Sequence, residues 1–170
     1  MADRPSGWLI QNVDLIPRDR LVLDVASGRG RNALFLAAAG WPVHAIDRNA
    51  EALAALRDSA SGLDGTVTTE CLELESGTPS LGSRRYGAVI VFNYLHRPLM
   101  PAIVEAVAPG GVLIYQTFTA GQAARGKPQN PAFLLENGEL PTLVTPLEVL
   151  RSREGDFDGS LVASIVAQRR

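Results

Sequence analysis

Two aspartates and a glycine loop carry the chemistry most open to reading in this 170-residue chain. The segment Asp24-Val-Ala-Ser-Gly-Arg-Gly30 follows a short apolar run, and Asp47 stands seventeen residues beyond Gly30. Gly28 and Gly30 permit positive φ and let backbone approach a ligand closely. A helix opening after such a turn aims its first amides at the ligand and favours a carboxylate or phosphate there. Asp47, at the tip of the second apolar run, is placed to accept both hydroxyls of a ribose. Gly28-Arg-Gly30-Arg-Asn-Ala33 matches the G-x-G-x-x-A form of a dinucleotide fingerprint. Its placement differs, because Asp24 interrupts the strand end and Ala26-Ser27 precede the first glycine. An acidic Asp24 opposes a pyrophosphate and suits an ammonium group. The pair therefore points to a nucleoside that carries an amino acid. Asp24 as a plain turn cap and Asp47 as an ordinary strand-end residue are the competing structural readings.

A second polar group, Asn93-Tyr94-Leu95-His96-Arg97-Pro98, follows a strongly apolar run, where open α/β sheets place their ligands. There His96 would take a proton from a hydroxyl, amine or thiol near neutral pH. Arg97 would anchor an anionic substrate. The same His96-Arg97 pair reads equally as the cap of a helix with Pro98 in its first turn. His44 alternates with apolar neighbours and is expected in the core. Cys71, the one cysteine, lies in an apolar-alternating run and is expected to be a buried structural thiol. A single cysteine forms no intrachain disulfide and suits a reducing cytosol. No cysteine–histidine pair or cluster of ligands appears, so neither a covalent intermediate nor a metal is expected.

The elements that must position these residues alternate along the chain. A lead-in helix, Trp8 to Ile16, stops at Pro17. Apolar, strand-like runs cover Leu21–Val25, Val43–Ile46, Thr66–Leu72, Ala88–Phe92 and Val112–Phe118. Helical runs cover Asn32–Ala39, ended by Gly40, Ala50–Ser59, with Asn49 as N-cap, and Pro98–Ala108, ended by Pro109-Gly-Gly111. Five strand–helix alternations predict an α/β fold with a doubly wound, mostly parallel sheet. Leu147–Arg153 and Leu161–Gln168 flank a Gly/Asp-rich turn and read as a C-terminal antiparallel hairpin, adding a strand at one edge and making seven in all. Residues 119–145 are irregular, with one short helix expected near Ala132–Glu136. A run of that length suggests a substrate lid built on Lys127, Gln129, Asn130 and Phe133, or else a mobile surface loop.

Composition narrows the function classes. The length fits one domain, residues 1–170, with 1–17 as its lead-in. Apolar residues at 46% and charged residues at 20% are those of a globular protein. A formal charge of −2 gives no electrostatic case for nucleic acid or acidic membranes, and Arg29/Arg31 and Arg84/Arg85 read as solvated spots. The segment Met1–Gly7 has no apolar leader and no run approaches a membrane span, so a cytoplasmic location is expected.

Val22-Leu-Asp-Val-Ala-Ser-Gly-Arg-Gly30 resembles motif I of class I S-adenosylmethionine-dependent methyltransferases, with Ala26 where the first glycine usually sits. Gly30-Arg-Asn-Ala-Leu-Phe-Leu-Ala37 and Gly40-Trp-Pro-Val-His-Ala-Ile-Asp47 are similar to the tellurite-resistance and thiopurine-type branch. Leu95–Leu99 and Ala108-Pro-Gly-Gly-Val-Leu-Ile-Tyr115 match later regions of the wider superfamily. The resemblance covers roughly residues 8–168 and implies a Rossmann-like fold. It implies S-adenosyl-L-methionine as cofactor and a small-molecule acceptor of unspecified type. By the same likeness Asp24, Ala26, Ser27, Gly28 and Gly30 would hold the methionine moiety. Asp47 would take the ribose, Arg48 would flank the adenine, and Glu73 would meet the adenine amine, although it also reads as a solvent-facing strand residue. Asn93 and Tyr94 would lie near the sulfonium. A non-catalytic cofactor-binding protein working in a complex and a nicotinamide-dependent oxidoreductase are the alternatives.

Overall fold

The computed structural model describes residues 3–77 and 79–170; residues 1 and 2 of the lead-in and position 78 of the loop before the fourth strand lie outside them. The chain starts with helix α1 (Gly7–Asn12) and a single 3-10 turn (Val13–Leu15), so the lead-in is shorter and less regular than its sequence suggests. Strand β1 (Val22–Val25) leads through the glycine loop into α2 (Arg31–Ala38), β2 (Val43–Asp47), α3 (Ala50–Ala60) and β3 (Val67–Cys71). Asn49 caps α3 as expected, its side chain accepting the Ala52 amide at 3.0 Å. After the long loop come β4 (Tyr86–Phe92), a 3-10 turn (Arg97–Leu99), α4 (Met100–Ala106) and β5 (Val107–Phe118). Pro109-Gly-Gly111 does not end α4 but lies inside β5, where the register against β4 shifts between Tyr86 and Ala88.

The seven strands run in the order β3-β2-β1-β4-β5-β7-β6, with β6 (Glu148–Phe157) and β7 (Ser160–Gln168) antiparallel to the rest or to each other. The sheet is thus mostly parallel and doubly wound, as expected. The last strand, however, inserts between β5 and β6 instead of adding to the edge. Burial dictates this order, since β7 is an apolar run buried over Val162–Ala167, whereas β6 carries Arg151, Arg153, Glu154 and Asp156 and makes a charged edge.

Each face of the sheet has its own apolar layer. Val22, Ala45, Ile90 and Ile114 meet Leu9, Leu36, Leu53 and Leu56 on one side, and Leu23, Val25, Val89 and Tyr115 meet Met100 and Ile103 on the other. Strand alternation sends Asp24 to the same side as Val22.

Three expectations need correction. Cys71 is exposed, because β3 is an edge strand and its alternation leaves one face in solvent. His44 is not packed among apolar residues. Its ring is 21% exposed, with Nδ1 2.7 Å from Thr68 Oγ1 and Nε2 3.2 Å from Glu70 Oε1 on the neighbouring edge strand. Residues 119–145 hold not one short helix but a 3-10 turn at Ala120–Ala124, helix α5 (Leu140–Leu143) and, where the helix near Ala132–Glu136 is expected, a second 3-10 turn, Pro131–Phe133. Asn130 Oδ1 caps it at the Ala132 amide, and it ends where Leu135 turns inward and donates its amide to the Phe118 carbonyl. Among the described residues no helix is long and apolar enough to cross a membrane.

Candidate functional site

The chain reverses its winding between β1 and β4, which opens a crevice at the carboxyl ends of the strands. A cavity of about 550 Å³ lies there. Each strand of the parallel half delivers residues to it at its end: Ala26 after β1, Asp47 and Arg48 at β2, Glu73 and Glu75 after β3, Asn93 and Tyr94 after β4, and Thr117 and Phe118 at β5.

The glycine loop is built by backbone strain and by Asp47. Ala26, Gly28 and Gly30 all have left-handed φ, of 55°, 55° and 82°. The Gly28 amide donates to Asp47 Oδ2 at 2.8 Å, and the Asn49 amide donates to Asp47 Oδ1 at 2.8 Å. The Ser27 amide donates to the Ile46 carbonyl and the Gly30 amide to the Ser27 carbonyl, so the turn is sewn to β2. Space around the two glycines differs. A Cβ on Gly28 would meet none of the described residues within 4 Å, whereas one on Gly30 would collide with the Leu56 side chain of α3. Gly30 therefore serves the packing of α2 against α3 as well as the turn.

Asp24 lies beneath this loop, 3% exposed, and does not line the cavity. Burial pushes its carboxyl up to about 8. Nearby Arg31 pulls the other way, Asp47 adds to the rise, and the Ala33 amide lowers it. The side chain is therefore poised between its two protonation states close to neutral pH.

The polar turn after β4 is divided. Asn93 takes a left-handed φ of 58°, which suits asparagine, and Tyr94 lines the cavity with a buried hydroxyl that has no hydrogen-bond partner among the described residues. The Tyr94 phenol is pushed up to about 12 by burial first and by Glu75 and Glu73 next, so it stays neutral. Tyr115 holds this turn in place, its hydroxyl donating to the Tyr94 carbonyl at 2.5 Å. His96 does not reach the cavity wall; its Nδ1 lies 3.5 Å from Oε1 of Glu75, which does. Arg97 points away to residues 131–139, so its guanidinium is engaged by the protein itself. Nε and Nη2 donate to Glu139 at 2.7 and 2.8 Å, Nη2 donates to the Leu134 carbonyl at 2.8 Å, and Nη1 to the Ala132 carbonyl at 3.3 Å.

Of the residues singled out in sequence, Ala26, Asp47, Arg48, Glu73, Asn93 and Tyr94 meet in one cavity. Asp24, Ser27, Gly28, Gly30, His96 and Arg97 do not line it. Glu73 Oε1 accepts the Glu75 amide at 3.1 Å and so shapes the acidic wall. Of the expected lid residues, Lys127 and Phe133 reach the cavity, while Asn130 caps the turn carrying Phe133 and Gln129 lines no part of it. Glu75, Thr117 and Phe118 escaped the sequence reading. The signal for the last two was their place at the carboxyl end of β5. Among the described residues no group of three or more His, Cys, Asp or Glu side chains is arranged to hold a metal.

The fold recurs in solved structures. TehB from Haemophilus influenzae superposes with a TM-score of 0.78 at 19% identity, covering 97% of this chain and 62% of that one. Magnesium protoporphyrin IX methyltransferase from Synechocystis, solved with bound S-adenosylhomocysteine, superposes with a TM-score of 0.71 at 17% identity, covering 96% of this chain and 79% of that one. In sequence, the chain is 26% identical over 84 residues to a probable S-adenosyl-L-methionine-dependent methyltransferase TehB of Haemophilus influenzae. That match spans 49% of this chain and 29% of the relative's length. The model of one family, described as tellurite resistance protein TehB, matches residues 7–151. The chain belongs to the TehB family.

Proposed function

We propose that the protein is an S-adenosyl-L-methionine-dependent methyltransferase, residues 1–170 forming one catalytic domain, that acts on a small-molecule acceptor in the cytoplasm. The observation that carries the reading is the joint between Asp47 and the glycine loop. Each carboxylate oxygen of Asp47 accepts one backbone amide and keeps acceptor capacity for a ribose hydroxyl in the cavity it lines. The rest of the site fits a nucleoside bearing an amino acid. A volume of about 550 Å³ suits a ligand of that size, and the left-handed loop leaves open space at Gly28. The Tyr94 hydroxyl, without a partner among the described residues, supplies a buried polar group for a ligand to satisfy.

When bound, the cofactor supplies a methyl group on a sulfonium, open to in-line displacement by a lone pair held about 3 Å away. The chain's own residues then have separate tasks. Asp24 and the loop from Ala26 through Ser27 and Gly28 to Gly30 support the amino-acid end. Arg48 and Glu73 bound the adenine side, and Asn93 and Tyr94 face the transfer point. Tyr94, kept neutral, orients the acceptor by a hydrogen bond and carries no charge into the site. The Glu75–His96 pair receives the acceptor's proton, Glu75 at the cavity and His96 behind it. Arg97 acts by fixing residues 131–139, which together with Lys127 form the lid. Exposed Cys71 persists as a thiol in a reducing cytosol.

Incubation with methyl-labelled S-adenosylmethionine and a panel of hydroxyl-, amine- and thiol-bearing small molecules tests this reading. Label should move to one acceptor class with stoichiometric S-adenosylhomocysteine. Binding of S-adenosylhomocysteine without transfer to any class would instead make the protein a cofactor binder.

A further inference from the structure

Residues 127–133 bring a cation and an aromatic ring to the cavity. On the methyltransferase reading Asp47, Arg48 and Glu73 bound the nucleoside, which leaves Leu95, Phe118, Lys127, Pro128 and Phe133 for the acceptor. Phe133 is 44% exposed, and among the described residues no other large apolar side chain so exposed lines this cavity. The backbone on both sides imposes that exposure. The Ala132 amide donates to Asn130 Oδ1 and the Phe133 amide to the Asn130 carbonyl, each at 2.9 Å. Beyond the ring, Leu134 and Leu135 are buried, and Leu135 donates to the Phe118 carbonyl and accepts the Ala120 amide, each at 2.9 Å. An apolar ring held partly in water gains from whatever covers it, so its burial is left for a ligand to complete. Tyr94, Phe118 and Phe133 put three aromatic rings in one cavity, which favours a flat ring over an alkyl chain through offset-stacked or edge contacts.

Lys127 supplies the charge, and it is the one lysine of the chain. On the cofactor side Arg48 is paired with Glu75 at 3.9 Å. Among the described residues Lys127 takes part in no side-chain ion pair. A compact ammonium on a flexible stem suits a single anionic group, whereas a planar guanidinium suits a two-bond fork.

We propose that the acceptor is an aromatic carboxylate, its ring laid against Phe133 and its carboxylate met by Lys127. The inference rests on the methyltransferase reading and names the acceptor class for that same cavity.

Calorimetry on the full chain saturated with S-adenosylhomocysteine tests it. The probes are 4-hydroxybenzoate and 4-mercaptobenzoate, with 4-hydroxybenzamide lacking the charge and hexanoate lacking the ring. Both aromatic acids should bind, and the amide and hexanoate should bind about fivefold more weakly or worse. Lys127→Gln should bring the acids down to the level of the amide and leave the amide unchanged, while Lys127→Arg keeps most of the difference. Phe133→Ala should weaken acids and amide alike by about tenfold. Both side chains are exposed, so the substitutions spare the core. The single lysine gives a second readout: trinitrobenzenesulfonate should modify Lys127, located by mass spectrometry, and 4-hydroxybenzoate but not 4-hydroxybenzamide should slow the reaction. No binding of either acid, acid affinity no better than that of the amide or hexanoate, or acid affinity unchanged in Lys127→Gln or in Phe133→Ala overturns the proposal. Weaker binding of S-adenosylhomocysteine in Lys127→Gln would assign the lysine to the cofactor's own carboxylate and overturns it too. Failure of wild type to bind S-adenosylhomocysteine overturns the methyltransferase reading instead, and the same probes titrated into the free protein then report on Lys127 and Phe133.

Discussion

Arg97 and Glu139, 42 residues apart in the chain, are joined by two hydrogen bonds of 2.7 and 2.8 Å that tie the turn after β4 to the roof of the cavity. The same guanidinium holds the carbonyls of Ala132 and Leu134, on either side of Phe133, which is 44% exposed and lines the cavity. The pair also shifts both partners, holding the Glu139 carboxyl below its ordinary range and the Arg97 guanidinium above its own. Arg97→Ala should cost about 1 kcal/mol of stability, a figure discounted for the partial exposure of the pair. It should raise the acceptor KM more than it lowers kcat. Because the Glu139 pKa is depressed, the stabilisation is full above the ordinary carboxylate range and is lost as pH falls below that range through the lowered folded-state value. Urea melts of wild type and Arg97→Ala at pH 7 and pH 3.5 check this; an equal difference at both pH values would remove the pair as its source.

Asp47 is the joint between cofactor and loop. Asp47→Ala should weaken S-adenosylhomocysteine by at least tenfold, about 1.4 kcal/mol. Asp47→Asn, which keeps one acceptor oxygen, should lose less. Unchanged calorimetric affinity in Asp47→Ala would remove the ribose role.

Asp24 makes the free protein sensitive to pH. Its folded-state pKa of about 8 lies above its ordinary value of 3.8, so the folded state holds the proton more tightly. Its contribution to stability is therefore complete below pH 3.8 and declines as pH rises towards 8. Asp24→Asn should raise the Tm of the free protein more at pH 8 than at pH 5. An ammonium-bearing ligand requires the ionised carboxyl, so binding S-adenosylhomocysteine at pH 7 should release protons to the buffer. Calorimetry in buffers of different ionisation enthalpy measures that release, and its absence would separate Asp24 from the ligand's ammonium.

Ala26 holds a left-handed φ of 55° that glycine adopts without penalty. Ala26→Gly should relieve about 1–2 kcal/mol of backbone strain and lose part of that to unfolded-chain entropy. A net gain of roughly 0.5–1 kcal/mol is expected in chemical denaturation. A loss of stability would mean that the Ala26 methyl is needed in the packing beneath the cavity.

His96 stands behind Glu75, at 3.5 Å. His96→Ala should lower turnover on an identified acceptor and leave cofactor affinity intact, and Glu75→Gln should lower turnover further. Turnover unaffected by His96→Ala would leave His96 a structural residue.

Much of this was legible in the chain before folding. The apolar runs of β1, β2, β4 and β5 and the caps at Gly40 and Asn49 are local signals, and they located the glycine loop and Asp47 on one sheet edge. What escaped depends on partners distant in sequence. Nothing near Arg97 announces Glu139, so a clamp read as an anion anchor. Cys71 alternates like a half-buried strand residue, but only strand order reveals that β3 is an edge. The insertion of β7 beside β5 likewise follows from burial of Val162–Ala167, which the hairpin pattern alone does not rank. Ser6 belongs to no element marked in the sequence, and its burial against Asn32 is a contact across 26 residues.

On the proposed function, the loop and Asp47 hold S-adenosylmethionine and not a dinucleotide. Calorimetric titration of the wild-type chain with S-adenosylhomocysteine and, separately, with NAD tests it most directly. Saturable one-site binding of S-adenosylhomocysteine, weakened in Asp47→Ala, and no heat from NAD are expected; saturable binding of NAD with none of S-adenosylhomocysteine would overturn the assignment.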